Sequence, residues 1–373
     1  MRWILGVLVA LGACDCGSGG GDGTDGGLGD ECASSRNCPF GFVCVDGRCE
    51  PASGRDAGVD GGGLDAGHPG PDASSADGGG PDGGLADSGV RDARRPDGGG
   101  IEESVFQYGV MRGSEVRVFD VLVNELPARD DVPVFLYLPA AGEPYDSPVA
   151  RAWLRAMAEL GYFAASAAYD DSPVSSCAQL DAKAREIFAG SGGISGGLLF
   201  DLCSMVGSVC DRGVALVGHD QGGQIAMLAQ NHDARIRAVL ATGVGYVMNR
   251  GSVNLGSCLV DSRALSSDAL RLVNGASDTL YGPFTDLGLT PTLREQMDAL
   301  SGRSCGAPIE ECLRPNGSGW ILVADRQVAD GNADHCYHSV AGCGSEPDPN
   351  WASTAGAWGL AAGRDWLHSL TPF

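Results

Sequence analysis

The stretch Val214-Ala215-Leu216-Val217-Gly218-His219-Asp220-Gln221-Gly222-Gly223 constrains this chain more than any other. Its uncharged aliphatic run reads as a strand, Gly218 stops it, and helical spacing takes over after Gly223. A strand that becomes a helix within so few residues needs small side chains where the two backbones meet. Gly218-x-Asp220-x-Gly222 has the spacing of a nucleophile elbow, a strained turn that presents its central side chain at the end of a sheet. The central residue here is Asp, where Ser is usual.

The flanking sequence supplies a sheet for that turn. Residues 115–123 alternate charged and apolar side chains, as a half-exposed strand does, and 132–138 is continuously apolar, as a strand covered on both faces is. Pro139-Ala140-Ala141-Gly142 is a tight small-residue loop. Helical spacing then places Val149, Trp153, Met157 and Leu160 on one stripe. Strands are predicted over 162–169, 214–219, 236–242, 270–273 and 320–324, and helices over 147–160, 180–188, 198–206, 220–230 and 355–370. Strands alternating with helices predict an α/β domain with a doubly wound, mainly parallel sheet, over residues 104–373. Sites in such sheets lie at the carboxyl ends of the strands.

The first hundred residues are of another kind. Residues 1–13 read as a signal peptide, with Met1-Arg2 as a short basic start and an apolar run too short to cross a bilayer. Leu11-Gly12-Ala13-Cys14 resembles a bacterial lipobox, which would make Cys14 the lipidated residue. Residues 14–31 are Gly- and Asp-rich and predict a flexible tether. Cys32, Cys38, Cys44 and Cys49 crowd a segment, 32–50, too short to bury a core, so a disulfide-rich module resembling EGF-like repeats is expected. The lack of CxxC pairs and of His among them argues against zinc. Residues 51–103 form a low-complexity linker in which Asp72, Asp77, Asp82, Asp87, Asp92 and Asp97 recur at every fifth position. Self-repelling charge with no apolar surface predicts disorder there.

Charge and cysteine narrow the setting. A net charge of -23 disfavours nucleic acid as a partner. Fourteen cysteines point to an oxidising compartment and to bridges rather than metal ligation. With Cys14 acylated and Cys16 left over, the remaining cysteines form two even sets. The first is the module's four; the second is Cys177, Cys203, Cys210, Cys258, Cys305, Cys312, Cys336 and Cys343, among which Cys336 is expected to bridge Cys343. The expected location is the bacterial cell envelope, by a lipid anchor, or the exterior.

Residues 104–373 resemble an α/β-hydrolase, on the elbow, on Asn274-Gly275-Ala276-Ser277-Asp278 after a strand and on Ala333-Asp334-His335 after the last strand. The segment 243–269 is too short for a large cap, and the pattern is closest to the compact dienelactone-hydrolase and cutinase-like polyester-hydrolase branches. The resemblance implies Asp220 at the nucleophile position, Asp278 as the acid and His335 as the base, in the chain order of that family. It implies an oxyanion hole made by the N–H of Gln221 with that of Ala140 or Ala141. Asp278 could instead form a turn, His338 competes with His335, and His219 reads as packing. Gly193-Ile194-Ser195-Gly196-Gly197 also matches G-x-S-x-G, but no strand precedes it.

Asp at the elbow redirects the chemistry. A carboxylate attacking an ester carbonyl would leave a mixed anhydride, whereas at saturated carbon it forms an alkyl ester that water activated by His can open. Haloalkane dehalogenases and epoxide hydrolases of this fold use Asp in that way, but the Trp after the nucleophile, the His-Gly loop and the cap with its tyrosines are missing here. The expectation is a hydrolase of a small extracellular substrate, with no cofactor or metal. The alternatives are Asp220 as a base for water and a catalytically degenerate, surface-binding lipoprotein. Oligomeric state is open.

Overall fold

Val-Phe-Leu-Tyr-Leu at 134–138 has no polar residue on either side of its pleat, so it must sit between two layers, and it does: all five residues are buried. In the computed structural model the described residues are 42–45, 48–51, 102–112, 115–125, 132–189, 197–204, 210–248, 252–282, 291–306 and 309–372. The chain divides into two units, Met1–Asp87 and Ser88–Phe373.

In the first unit, β1 (Phe42–Val45) and β2 (Arg48–Pro51) form an antiparallel hairpin that sets Cys44 opposite Cys49. The signal peptide, Cys14, the tether, Cys32, Cys38, most of the linker and the Ser195 motif lie outside the described residues.

The second unit contains β3 (Glu102–Arg112), β4 (Glu115–Glu125), β5 (Val134–Leu138), α1 (Pro148–Glu159), β6 (Phe163–Ala167), α2 (Cys177–Phe188) and α3 (Gly197–Ser204). Then come β7 (Val214–His219), α4 (Asp220–Leu228), β8 (Ile236–Thr242), the small hairpin β9 (Val247–Met248) and β10 (Val253–Asn254), and β11 (Leu270–Gly275). The chain closes with α5 (Leu293–Ser301), β12 (Glu311–Leu313), β13 (Gly319–Val323), α6 (Pro349–Ser353) and α7 (Leu360–Leu370). Apart from β9 and β10, these strands form one sheet of nine in the order β12-β13-β11-β8-β7-β5-β6-β4-β3. The six from β13 to β6 are parallel; β12 at one edge and β4 at the other run against them, and the outermost strand β3, antiparallel to β4, runs with them. This is the doubly wound, mainly parallel α/β sheet expected.

Side chains of alternate residues feed two cores. Val134, Leu136 and Leu138 pack on one face with Leu180, Ile187 and Leu199 of α2 and α3 and with Ile225 of α4. Phe135 and Tyr137 point the other way, to Trp153 and Met157 of α1 and to Trp366 and Leu367 of α7. Ser147 caps α1 by accepting the Ala150 N–H, which fixes where that helix begins. Among the described residues no helix is long and apolar enough to cross a membrane.

Boundaries differ from expectation in places with physical causes. The sheet starts at Glu102, before the residue where order was expected, because all of β3 pairs with β4 from Glu102↔Glu125 to Arg112↔Glu115. The final helix is shorter than 355–370: α6 ends at Ser353, and Trp358 turns into the core against Tyr337 before α7 begins. Helix α5, missed in the sequence, starts on a capping box in which Thr292 and Glu295 satisfy each other's backbone N–H groups.

The eight cysteines of the second set pair as Cys177–Cys258, Cys203–Cys210, Cys305–Cys312 and Cys336–Cys343. The first spans a separation of 81 residues and the others 7 each. A cross-link restricts the unfolded chain more when its loop is longer. Replacing Cys177 and Cys258 together by Ser should therefore cost roughly 4 kcal/mol, against roughly 2 kcal/mol for Cys203 and Cys210. Urea unfolding of the oxidised proteins measures both, and equal losses would contradict the loop-length argument.

Candidate active site

The turn from β7 to α4 places Asp220 at φ 50, and Asp220 is the one non-glycine residue with positive φ among those described. Such a conformation persists where the surroundings over-determine it. Here they do, through three glycines. A Cβ on Gly218 would lie 2.4 Å from the Gly222 carbonyl oxygen, and one on Gly222 would lie 2.3 Å from that of Leu138. One on Gly223 would lie 2.8 Å from the Gly218 carbonyl oxygen. The elbow is thus pressed onto the end of β5, and Asp220 projects at the carboxyl edge of the sheet.

Two further loops are drawn to the same edge. A Cβ on Gly275, at the end of β11, would lie 2.1 Å from the carbonyl oxygens of Ala333 and Asp334, so only glycine lets the acid loop meet the histidine loop. The Ser277 N–H donates to the Ala333 carbonyl at 2.9 Å, and Asp325 accepts from both the Ser277 hydroxyl and the Ala333 N–H at 2.9 Å. The Cys336–Cys343 bridge closes the histidine loop from the other side.

These loops bring the three predicted residues together. His335 Nδ1 lies 2.9 Å from Asp278 Oδ2, and His335 Nε2 lies 3.6 Å from Asp220 Oδ1. Asp278 is fully buried, and its other oxygen accepts the N–H groups of Leu280 at 2.8 Å and Tyr281 at 3.3 Å. It therefore does both things considered for it, forming the turn with one oxygen and orienting His335 with the other. His338 does not compete: it is buried, and neither of its ring nitrogens has a hydrogen-bond partner among the described residues.

Charge explains how the two kinds of histidine divide. Burial opposes a charge on His335, but attraction to Asp278 and the hydrogen bond to it, then Asp220 and Asp334, outweigh burial and raise its pKa to about 9. At neutral pH it is an imidazolium between two carboxyl groups. His219 and His338 sit behind it, with ring centroids 4.9 Å and 4.4 Å apart for the His219–His335 and His219–His338 pairs. Burial, then neighbouring imidazoles, hold His219 well below the usual range, and burial with His335 lowers His338 to about 3. His219 packs as expected, with Nδ1 at 3.0 Å from the Thr242 hydroxyl and Nε2 at 3.3 Å from Cys343 Sγ. His219, His335 and Cys343 approach metal-ligating distances, but the Cys343 sulfur is bonded to Cys336 and offers no thiolate.

The oxyanion-hole expectation needs one correction. The Ala140 N–H donates to Glu143 Oε2 at 2.9 Å, so a buried carboxyl group occupies it. The N–H groups of Gln221 and Ala141 have no acceptor among the described residues and remain the pair able to serve. Glu143 was not foreseen: it also accepts from Ser147 at 2.7 Å and Tyr137 at 3.1 Å, and burial raises its pKa against those donors, with Asp220 adding to the rise. Lys183 was missed as well. It is buried on α2 and donates to the Gln221 side chain at 3.0 Å and to the Ser172 carbonyl, tying the loop after β6 to the elbow.

Tyr281 is the third unforeseen group. It is fully buried and donates its hydroxyl to Asp220 Oδ1 at 2.9 Å. Its position three residues after Asp278 carries no pattern that a sequence could reveal.

No protein-family model and no curated protein sequence matches the chain. Solved structures similar to it include a fungal esterase from Rhizomucor miehei, at 11% identity and TM-score 0.42 over 73% of this chain and 85% of that one. A dienelactone hydrolase-like promiscuous phosphotriesterase from metagenomic libraries is 17% identical, TM-score 0.36, over 54% of this chain and 76% of that one. DcsB, solved with a substrate analogue, is 12% identical, TM-score 0.30, over 39% of this chain; the match spans 46% of DcsB.

The charge on His335 has a measurable consequence. A pKa raised on folding stabilises the fold fully below the unfolded value of 6.5, and that contribution is lost as pH rises through about 9. His335→Gln should flatten the decline of unfolding free energy across that window. By NMR the His335 ring should titrate near 9 in the parent, and Asp278→Asn should lower its midpoint by about one unit or more. A midpoint that ignores Asp278 would contradict the ion-pair account.

Proposed function

We propose that residues 104–373 form a hydrolase that opens a small extracellular substrate through an ester on Asp220. The observation that carries this reading is the carboxylate of Asp220 on a positive-φ elbow, 3.6 Å from a histidine whose far nitrogen is held by Asp278. A nucleophile, a base in reach of it and a third group orienting the base make up the arrangement that nucleophilic catalysis needs. Because the nucleophile is a carboxylate, the reading favours attack on saturated carbon over attack on an ester carbonyl.

The protonated His335 fits this order of events. Asp220 attacks carbon, the bond to the leaving group breaks, and His335 gives its proton to that group where it is an oxygen anion, or to solvent where it is a halide. Esterification removes the charge of Asp220, one of the attractions that hold the proton on His335. The imidazole becomes a better base at the step that needs one. Water then adds to Cγ of Asp220, the product alcohol leaves, and the net proton returns to His335, restoring the ion pair.

The setting proposed for this chemistry is the bacterial envelope, with Cys14 as the lipid anchor or the protein released. Four disulfides among the described residues support an oxidising compartment. The second reading, a degenerate domain that binds without turnover, draws on the same ion pair, since a His335 that never gives up its proton is no base.

Mass spectrometry separates the readings. After incubation with a panel of epoxides, haloalkanes and activated esters, His335→Gln should accumulate an adduct on Asp220 that the parent does not retain. A single turnover in heavy-oxygen water should place the label in Asp220; label appearing only in product would mean that Asp220 acts as a base on water. A folded protein with neither adduct nor turnover on any panel member would favour the binding module.

A further inference from the structure

We propose that Tyr281 is a catalytic residue of this site, its phenol O–H stabilising the Asp220 oxygen on which charge develops when the aspartyl ester is hydrolysed. The inference rests on the aspartyl-ester reading above. Its basis is which of the two Asp220 oxygens is held. Tyr281 donates to Oδ1 at 2.9 Å, and His335 Nε2 faces that same oxygen at 3.6 Å. Oδ2 has no hydrogen-bond partner among the described residues, so it is the oxygen left to attack carbon. After attack Oδ2 carries the alkyl group and Oδ1 is the ester carbonyl oxygen. When water adds to Cγ, its proton passes to His335, the C=O electron pair moves onto Oδ1, and the new oxyanion forms on the atom that Tyr281 already holds. Collapse of the intermediate breaks the Cγ–Oδ2 bond and releases the alcohol, protonated by His335, and the proton left on the new Asp220 carboxyl then passes to His335.

The direction of that hydrogen bond is imposed by neighbours. Gln224 Nε2 donates to the Tyr281 oxygen at 3.1 Å and to the Gly245 carbonyl at 2.8 Å. With its lone pair so engaged, the phenol turns its proton to Asp220. Gln296 fixes the backbone behind it, donating to the Tyr281 carbonyl at 2.8 Å while accepting the N–H groups of Tyr246 and Val247. Burial, with Asp220 and Asp278 adding to it, holds the phenol's pKa well above its ordinary value, so the group stays a donor. Tyr281 also supplies what Ala140 cannot, since the Ala140 N–H is engaged by Glu143.

A buried tyrosine that merely satisfies its hydroxyl would affect folding or both chemical steps together. The proposed role separates them. With styrene oxide and 1-bromobutane as probes, rapid-quench mass spectrometry follows formation and decay of the Asp220 adduct in the parent, Tyr281→Phe and His335→Gln. Tyr281→Phe is expected to form the adduct within about threefold of the parent rate and to hydrolyse it ~10²–10³-fold more slowly, the loss typical of one oxyanion donor. Gln224→Met, which keeps the phenol but frees its orientation, should slow hydrolysis by a smaller factor, and it decides the matter if Tyr281→Phe does not fold. An adduct that accumulates in His335→Gln but turns over at the parent rate in Tyr281→Phe overturns the role of Tyr281 and leaves the Asp220 reading standing. Slowed formation with unchanged hydrolysis overturns it too, because Tyr281 would then only orient the nucleophile. A folded His335→Gln protein that no probe labels overturns the Asp220 reading, and the role of Tyr281 falls with it.

Discussion

The contact on which the site depends is between backbones: the carbonyls of Leu138 and Pro139 lie where any side chain on Gly222 would have to be. That approach holds the start of α4 against the end of β5 and forces the sharp turn at Asp220. A non-glycine residue at positive φ costs of order 1–3 kcal/mol, a strain that the buried strands on both sides must offset. In return the carboxylate stands clear of the sheet with the first N–H groups of a helix beside it, where a negative charge is favoured.

The same device, a glycine where two backbones cross, recurs at Gly275 and brings the acid and the histidine together. From there the site is held by polar groups with two uses. Asp278 forms its own turn and orients His335; Asp325 joins the two loops; Gln224 and Gln296 direct Tyr281. The electrostatic result is a single cationic histidine between carboxyl groups, backed by two neutral ones kept so by burial and mutual repulsion.

Much of this was legible in the chain. The continuous apolar strands, the elbow with its three glycines and the order of Asp220, Asp278 and His335 all rest on local patterns, and local patterns are what one sequence displays. The parts that were not legible are side chains that reach across the fold. Glu143 and Lys183 are charged residues that composition would place at the surface, yet both are buried with hydrogen-bond partners. The choice between Ala140 and Ala141 stayed open for the same reason, since a small residue in a tight loop does not disclose that a carboxyl group three positions later will take its N–H.

The sequence by itself determined the α/β class, the mainly parallel sheet, the place of the turn and the identity of the group presented on it, because periodicity and glycine spacing are imposed by backbone sterics alone. It also determined that the second cysteine set was even and that Cys336 would bridge Cys343, without saying how the other six would pair. Only the tertiary structure decided that pairing, the choice of His335 over His338, the loss of the Ala140 N–H and the arrival of Tyr281 at Asp220. Each of these is a contact between residues brought together by the closing of the sheet, and such a contact depends on distances that no spacing along the chain can specify.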